Sequence, residues 1–306
     1  MATTYCFFKG NFIPQSEAKI GILTHAFNYG TGVFEGIRAY WNTDQQQLFV
    51  FKLREHYQRL HESCHILHIK LDYTVDALTD ITLEVLRRSE VRSDMYLRPI
   101  AYKSGEVVGV RLHNVDDDFC LALASIGKYI PAEAARCKVS TWRRMDDTIA
   151  PARAKITGIY VNSALAKTEV VEDGYDEAIM LNGDGHVAEG TGENLFILRD
   201  GVLITPCVSD NILEGITRDF AIQLAKEELG LQVVERTIDR SELYIADECF
   251  LTGTAAEISP IGEVDRRKIG SGGVGPLTKR LRVVFDDAVR GRTKKYLASC
   301  TPVWPK

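Results

Sequence analysis

The chain has 306 residues, of which 45% are apolar and 26% charged, and its formal net charge is −5. These proportions are those of a soluble globular protein, and the acidic balance argues against a nucleic-acid-binding protein, which needs a basic surface. The longest apolar run, Phe119 to Ala124, is far shorter than the roughly 20 residues of a membrane-spanning helix.

The seven cysteines favour free thiols in a reducing compartment. Their number is odd and no C-x-x-C pair occurs, whereas a disulfide framework uses paired cysteines. The N-terminal residues lack the basic segment and apolar stretch of a secretory signal. We therefore expect a cytoplasmic protein, and its length predicts about two domains.

The first half of the chain predicts alternating strands and helices. Strands are expected where β-branched and aromatic residues cluster, and helices where apolar residues recur every three or four positions. In chain order the predicted elements are a hairpin over 6–13, strands over 33–41 and 47–51, helices over 57–67 and 75–85, and strands over 96–103 and 119–126. A turn-prone segment, 127–131, then predicts a boundary between an N-terminal domain (1–127), an interdomain loop (128–135) and a C-terminal domain (136–306).

The second half predicts a helix over 161–171 and then two hairpins. Asn182 to Gly185 joins strands over 177–181 and 186–189, and Asp200-Gly201 joins strands over 194–198 and 202–205. A helix follows, with Thr217 as its N-cap and Leu229-Gly230 as its end. Because short hairpin loops require antiparallel pairing, we expect an α+β fold rather than a doubly wound parallel sheet.

A group of metal-ligand residue types lies within one predicted helix: His61, Cys64, His65 and His68. Two histidines four positions apart share a helix face, but zinc needs further ligands and no H-E-x-x-H motif occurs. A solvated and partly packed helix face is the favoured interpretation, so no metal is expected.

Glycine-rich segments do not match the known phosphate-binding loops. Gly190-Thr191-Gly192 and residues 270–273 fit neither the Rossmann nor the P-loop pattern. The segment Gly215-Ile216-Thr217-Arg218 is a better anion site, because backbone N–H groups point outward at a helix start. The residues alone therefore leave two possibilities open: a cytosolic α+β protein with a phosphate site, or a binding or regulatory protein without chemistry.

Several segments in order resemble the branched-chain aminotransferases, which are fold-type IV pyridoxal-phosphate enzymes. The matches extend from about residue 5 to 280, and Glu189 to Phe196 (EGTGENLF) is the most specific. The other matching segments are NYGTGVFEGIR (28–38), FKLREH (51–56) with Arg59-Leu60, YLRP (96–99), Lys155 with YVNS (160–163), GITR (215–218), SELY-x-ADE (241–248), GTAAE (253–257) and GPLT (275–278).

The resemblance implies a pyridoxal 5′-phosphate site. Lys155 is implied to bond the aldehyde of the cofactor and to move the substrate Cα proton. Glu189 would face the pyridine nitrogen, and Tyr160 the phenolic oxygen. The implied phosphate ligands are Arg54, Ile216, Thr217 and Thr254.

The resemblance also implies a substrate site. The α-carboxylate would lie on the turn formed by Thr254, Ala255 and Ala256, with help from Tyr96. Arg98 would meet the distal carboxylate of 2-oxoglutarate or glutamate, and Gly36 would leave room for the side chain. The implied apolar side-chain pocket consists of Tyr29, Phe34, Val108 and Tyr129.

These resemblances imply transfer of an amino group between branched-chain L-amino acids and 2-oxoglutarate. The implied fold has two α/β domains, like that of D-amino acid aminotransferases, with the cofactor at the domain interface and Lys155 in the large C-terminal domain. A homodimer is expected, in which the partner covers the site, and its ligands are amino acids and 2-oxo acids. The alternatives are an (R)-amine or D-amino acid aminotransferase on the same fold, and a binding protein without pyridoxal phosphate.

Overall fold

The structure is a computed structural model that describes residues 3–127 and 129–305. Within these residues the chain forms two compact units. Unit 1 comprises the described part of Met1–Gly127, with Ala154–Ile159 and Asp287–Lys306, and unit 2 the described part of Lys128–Arg153 with Tyr160–Asp286. We had expected contiguous domains, with Lys155 in the C-terminal one. The structure differs because the Lys155 segment bonds to N-terminal residues: the Phe34 N–H donates to the Lys155 carbonyl at 2.9 Å.

The strands and helices of the described residues are numbered in chain order. The strands are β1 (Tyr5–Phe8), β2 (Asn11–Pro14), β3 (Gly32–Phe34), β4 (Ile37–Asn42), β5 (Gln47–Phe51), β6 (Met95–Lys103), β7 (Asp117–Ala124), β8 (Ala135–Val139), β9 (Glu177–Leu181), β10 (Val187–Glu189), β11 (Asn194–Arg199), β12 (Val202–Thr205), β13 (Val233–Glu235), β14 (Glu248–Gly253), β15 (Glu257–Val264), β16 (Arg267–Lys268) and β17 (Cys300–Pro302). The helices are α1 (His25–Tyr29), α2 (Leu53–Ile66), α3 (Val75–Arg88), α4 (Tyr160–Glu172), α5 (Ile216–Glu227) and α6 (Pro276–Val289). These elements confirm the predicted α+β class.

Unit 1 contains an eight-stranded sheet in the order β17-β5-β4-β6-β7-β1-β2, and β3 also pairs with β6. The single strand predicted over 33–41 was wrong in detail, because the chain breaks at Glu35-Gly36 between β3 and β4. Both strands still align antiparallel with β6. The break carries the Glu35 side chain, which is fully buried.

The helices predicted between β5 and β6 are confirmed. The α2 helix buries Tyr57, Leu60 and Cys64, which recur at helical spacing. The α3 helix begins after Thr74, whose side chain accepts a hydrogen bond from the Ala77 N–H and so satisfies one of the donors at the helix start. Apolar periodicity therefore located both helices correctly.

Unit 2 contains a nine-stranded sheet in the order β10-β9-β8-β15-β14-β11-β12-β13, with β16 paired to β15. The two predicted hairpins are confirmed as the antiparallel pairs β9–β10 and β11–β12. Longer connections also create parallel pairs, in which β8 joins β9 and β15. Across the sheet, Glu189 pairs with Asn194 and Asn194 with Thr252, so these residues lie side by side on β10, β11 and β14.

The α5 helix begins two residues earlier than predicted. Its N-cap is Gly215 in extended conformation, whereas Thr217 lies inside the first turn and is buried. A Cβ at Gly215 would collide with the Asn194 side chain, so glycine is required for this close approach. Among the described residues, no helix is both long and apolar enough to cross a membrane.

Candidate active site

Lys155 lies in the segment Ala154–Ile159 of unit 1, which is hydrogen-bonded to strand β3. Its backbone N–H donates to the Ser63 hydroxyl at 3.3 Å, and its Nζ lies 5.2 Å from the centroid of the Phe34 ring. The segment approaches α1 closely, because the Gly158 N–H donates to the Gly30 carbonyl at 3.1 Å. Gly30 has a φ of 67°, and a Cβ on it would lie 2.6 Å from the Gly158 Cα. Glycines therefore allow the chain to hold Lys155 against the sheet.

Four predicted substrate residues come together in unit 1. The Arg98 guanidinium lies 4.5 Å from the Phe34 ring centroid and 5.2 Å from that of Tyr96, and it donates to the Tyr96 hydroxyl at 3.0 Å. A Cβ at Gly36 would collide with this same hydroxyl. The set therefore combines aromatic faces, a cation and a hydroxyl around a glycine, next to Lys155.

Unit 1 also contains a buried ionic cluster that the sequence did not predict, formed by Glu35, His56 and Arg59. Glu35 accepts from Arg59 Nε and Nη2, each at 2.7 Å, and from His56 Nδ1 at 2.7 Å. Burial alone would raise the pKa of Glu35, but the Arg59 charge and the hydrogen bonds from His56 and Arg59 lower it to about 2. Burial lowers the pKa of His56, and the charges on Arg59 and Lys155 act in the same direction. An ionised Glu35 thus holds an arginine and a neutral histidine close to Lys155.

The two arginines of α2 occupy different environments. The side chain of Arg54 is 54% exposed and forms an ion pair with Asp76. The side chain of Arg59 is only 11% exposed and is held by Glu35. Arg54 was the predicted phosphate ligand, and the structure places it at the surface of unit 1. Arg59 is the arginine directed into the unit.

Two further predicted substrate residues lie together on another part of unit 1. The Tyr29 hydroxyl accepts from the Gly109 N–H at 3.0 Å, next to Val108, which is 81% exposed. His25 holds the same loop through its ring Nε2 and the Gly109 carbonyl, 2.8 Å apart. Tyr29 and Val108 therefore belong to one surface, formed by α1 and the loop after β6.

In unit 2, Glu189 is a buried carboxylate at the end of β10. Its Oε2 accepts from Asn194 Nδ2 at 3.0 Å and from the Leu213 N–H at 3.1 Å, and its Oε1 pairs with Arg144 at 2.9 Å. Donors on both oxygens favour the ionised form. Arg144 is a second residue that the sequence did not single out, because the Arg143-Arg144 pair belongs to no recognised motif.

Two predicted phosphate ligands of unit 2, Ile216 and Thr217, are the first residues of α5. The N-cap Gly215 makes no side-chain cap bond, and it packs against Asn194, the strand neighbour of Thr252. Within the described residues the buried Thr252 hydroxyl has no hydrogen-bond partner. Thr254 follows two residues later, on the turn between β14 and β15. A helix N-terminus and an unsatisfied hydroxyl close to Glu189 fit a phosphorylated cofactor.

The remaining predicted residues are also in unit 2. Tyr160 is the first residue of α4, and Ala255 and Ala256 lie on the β14–β15 turn. Tyr129 is half-exposed, with Lys167 Nζ 5.9 Å from its ring centroid and Gly192 beneath its hydroxyl. In unit 2, Glu189, the start of α5 and the Thr254 turn are therefore all linked to the adjacent strands β10, β11 and β14. Tyr129 lies beside the Gly190–Gly192 turn, which follows Glu189.

Comparisons with known proteins show the family of the chain. The family model "Amino-transferase class IV" matches residues 32–264. A probable branched-chain-amino-acid aminotransferase of Aquifex aeolicus is 50% identical over 303 residues, which cover 99% of this chain and 97% of the relative. The crystal structure of the Thermoproteus uzoniensis branched-chain aminotransferase with norvaline superposes with a TM-score of 0.94 at 43% identity, over 99% of this chain and 100% of that one. The Thermobaculum terrenum branched-chain amino acid aminotransferase in its PLP-form gives a TM-score of 0.94 at 37% identity, over 99% of both chains.

Proposed function

The chain belongs to the class IV aminotransferase family, and from this membership we propose how its residues move an amino group between branched-chain L-amino acids and 2-oxoglutarate. It is a branched-chain amino acid transaminase that uses pyridoxal 5′-phosphate. Relatives with this activity match nearly the whole chain at 37–50% identity. The alternative of a binding protein without chemistry is thereby set aside.

The cofactor is proposed to be held by the residues that the family resemblance implies. Bound pyridoxal phosphate supplies an aldehyde for the amino group and a ring that accepts electron density from the substrate Cα. Lys155 would hold the aldehyde carbon and carry the Cα proton, and the Glu189 carboxylate would keep the ring nitrogen protonated. Tyr160 would donate to the phenolic oxygen. The position of Lys155 Nζ against the Phe34 ring supports this role for its amine.

The phosphate is proposed to bind at the start of α5. Ile216 and Thr217 would supply N–H groups, and Thr254 would supply a hydroxyl. The nearby Thr252 hydroxyl, which is buried without a hydrogen-bond partner among the described residues, supports this site. An arginine is expected as a further ligand. Arg54 was predicted from the sequence, but the burial of Arg59 and its fixed orientation favour Arg59. A guanidinium whose orientation is already fixed loses less entropy when it binds an anion.

The observation that carries the substrate assignment is the grouping of Arg98, Tyr96 and Phe34 around Gly36. A cation on aromatic faces remains stabilised when an aliphatic side chain occupies the site. The same cation would bind the distal carboxylate of 2-oxoglutarate or glutamate. Ala255 and Ala256, with the Tyr96 hydroxyl, would receive the α-carboxylate. The grouping therefore supports a site that accepts two different substrate side chains in turn.

A homodimer is proposed from an exposed apolar surface on unit 1. This surface is formed by α1, its preceding segment and the loop after β6, and its side chains are largely exposed: Ile20, Ile22, Leu23, Phe27, Tyr29, Val108 and Val110. An apolar area of that kind marks an interaction site. In a dimer, Tyr29 and Val108 would meet the substrate of a second copy, and Tyr129 is proposed as a further lining residue. Because all seven cysteines are free, we also place the enzyme in the cytoplasm.

Replacement of Lys155 tests the reaction. We expect Lys155→Ala to lose the visible absorbance of the bound cofactor and at least about 10³-fold in turnover of leucine with 2-oxoglutarate, since the group that carries the proton is removed. Lys70→Ala, at an exposed lysine of the same unit, is the control and should behave like wild type. Normal turnover by Lys155→Ala would refute the assignment. Transfer from (R)-1-phenylethylamine as fast as from leucine would instead favour the (R)-amine alternative.

A further inference from the structure

A second buried acid lies in the same turn as Glu189. Glu193 is only 3% exposed and closes the turn on itself. Its carbonyl accepts from the Gly190 N–H at 2.7 Å, and its side-chain Oε2 accepts from the Gly192 N–H at 3.1 Å. A Cβ at Gly190 would lie 2.6 Å from this Oε2. The Glu193 carboxyl therefore fills the inside of the turn and fixes its backbone.

The same side chain packs against the neighbouring strand β14. A Cβ at Gly253 would lie 3.5 Å from the Glu193 Cγ and 3.2 Å from the Gly192 carbonyl oxygen. Gly253 ends β14 and directly precedes the turn that contains Thr254, Ala255 and Ala256. Glu193 therefore joins the turn after Glu189 to the turn proposed to bind phosphate and α-carboxylate.

The charges around Glu193 disfavour its ionised form. Glu177 is completely buried, accepts from the Thr191 hydroxyl at 2.7 Å and pairs with Lys167 at 2.5 Å. Burial and the Glu177 charge, with a smaller effect of Glu189, raise the pKa of Glu193 to about 8, although the Gly192 bond and Lys167 oppose this. Cys137, another neighbour, is neutral because burial raises the pKa of its thiol. Burial and the Glu177 charge thus favour the protonated form of Glu193.

We propose that Glu193 is a positioning residue for the transaminase reaction, which holds the Gly190–Gly192 turn on Gly253 and thereby sets Glu189 relative to the Thr254–Ala256 turn. This inference rests on the proposed function of those residues. The working form is neutral, because an ionised carboxylate at this position is repelled by Glu177. Ionisation at higher pH adds repulsion between Glu193 and Glu177, so we expect it to disturb the turn and lower activity.

The test compares Glu193→Gln and Glu193→Ala in the holoenzyme. Glutamine keeps the acceptor and the shape but cannot ionise, so we expect its kcat at pH 7 to stay within about twofold of wild type. Alanine removes the contact with Gly192 and leaves space beside Gly253, so its kcat for leucine with 2-oxoglutarate should fall about tenfold or more. In wild type kcat should decline as pH rises through about 8, and in Glu193→Gln that decline should be absent.

Each outcome decides the inference. A Glu193→Gln enzyme as slow as Glu193→Ala, or with the wild-type decline above pH 8, overturns it. A Glu193→Ala enzyme that loses thermal stability but keeps wild-type kcat and pH profile shows a purely structural role and also overturns it. If Glu193→Ala fails to fold, the pH profile of Glu193→Gln still decides. Failure of the proposed function is separate, because wild type itself would then show no leucine-dependent turnover.

Discussion

Two buried glutamates, one in each unit, differ in their state of charge. Glu35 of unit 1 and Glu193 of unit 2 are both almost inaccessible to solvent, and burial by itself raises the pKa of each. Arg59 and His56 reverse that effect at Glu35 and bring its pKa to about 2. At Glu193 the neighbouring Glu177 reinforces it, and the pKa is raised to about 8. The partners of a buried carboxyl, and not its burial, decide whether it is ionised.

The difference matches what each acid does. Glu35 uses both oxygens to orient the Arg59 guanidinium, which requires a carboxylate. Glu193 occupies a turn between glycines, where a neutral side chain avoids repulsion from Glu177. One unit therefore uses a buried charge to direct a cation, and the other uses a buried neutral acid to fix a backbone.

The largest expected effect comes from removing the partner of Glu35. Arg59→Ala leaves a buried carboxylate with only His56, and we expect it to cost about 3–5 kcal/mol in the free energy of unfolding. Arg54→Ala removes a surface ion pair and should cost about 0–1 kcal/mol. Urea unfolding of both variants measures the difference. Equal losses would show that Glu35 does not depend on Arg59.

The same pair of variants separates the two candidate phosphate ligands. Arg59→Ala should lose pyridoxal phosphate during dialysis, whereas Arg54→Ala should retain it, because the Arg54 side chain lies at the surface. Loss of the cofactor from Arg54→Ala alone would restore the assignment made from the sequence.

A smaller effect is expected from Glu35→Gln, which keeps the size of the side chain and removes its charge. Losing charge-assisted hydrogen bonds should cost about 1.5–3 kcal/mol at pH 7. Since the pKa of Glu35 is lowered, its contribution to stability is present above its ordinary pKa of 4.5 and is lost as pH falls toward about 2. The variant should therefore lose less stability than wild type over that acid range. Glu55→Gln, at an exposed position on α2, is the control.

The last expected effect is the opposite pH dependence in unit 2. Because the pKa of Glu193 is raised, its contribution is fully present below pH 4.5 and is lost progressively as pH rises to about 8. The slope attributable to one such group is at most about 1.4 kcal/mol per pH unit. Unfolding of wild type and Glu193→Gln at pH 6, 7 and 8 should show this slope only in wild type. Parallel curves would contradict the contrast between the two acids.

The sequence by itself determined the helices α2 to α5, the hairpins and the family. Tyr57, Leu60 and Cys64 identify α2 because helical periodicity is local, and Asp200-Gly201 identifies a hairpin because turn geometry is local. The segment from Glu189 to Phe196 indicated the cofactor chemistry without any knowledge of its surroundings. These signals depend on residues a few positions apart, which a sequence displays directly.

Only the tertiary structure decided which charged residues of those segments are buried and which charged partners they contact. Arg54 and Arg59 lie on one amphipathic helix, and the sequence does not reveal that Arg59 meets Glu35, 24 positions away, while Arg54 meets Asp76 at the surface. Glu193 likewise owes its raised pKa to burial and to the charge of Glu177, which lies on β9. Electrostatic interactions depend on distance in space and on exclusion of water, and both are set only when the sheets have formed.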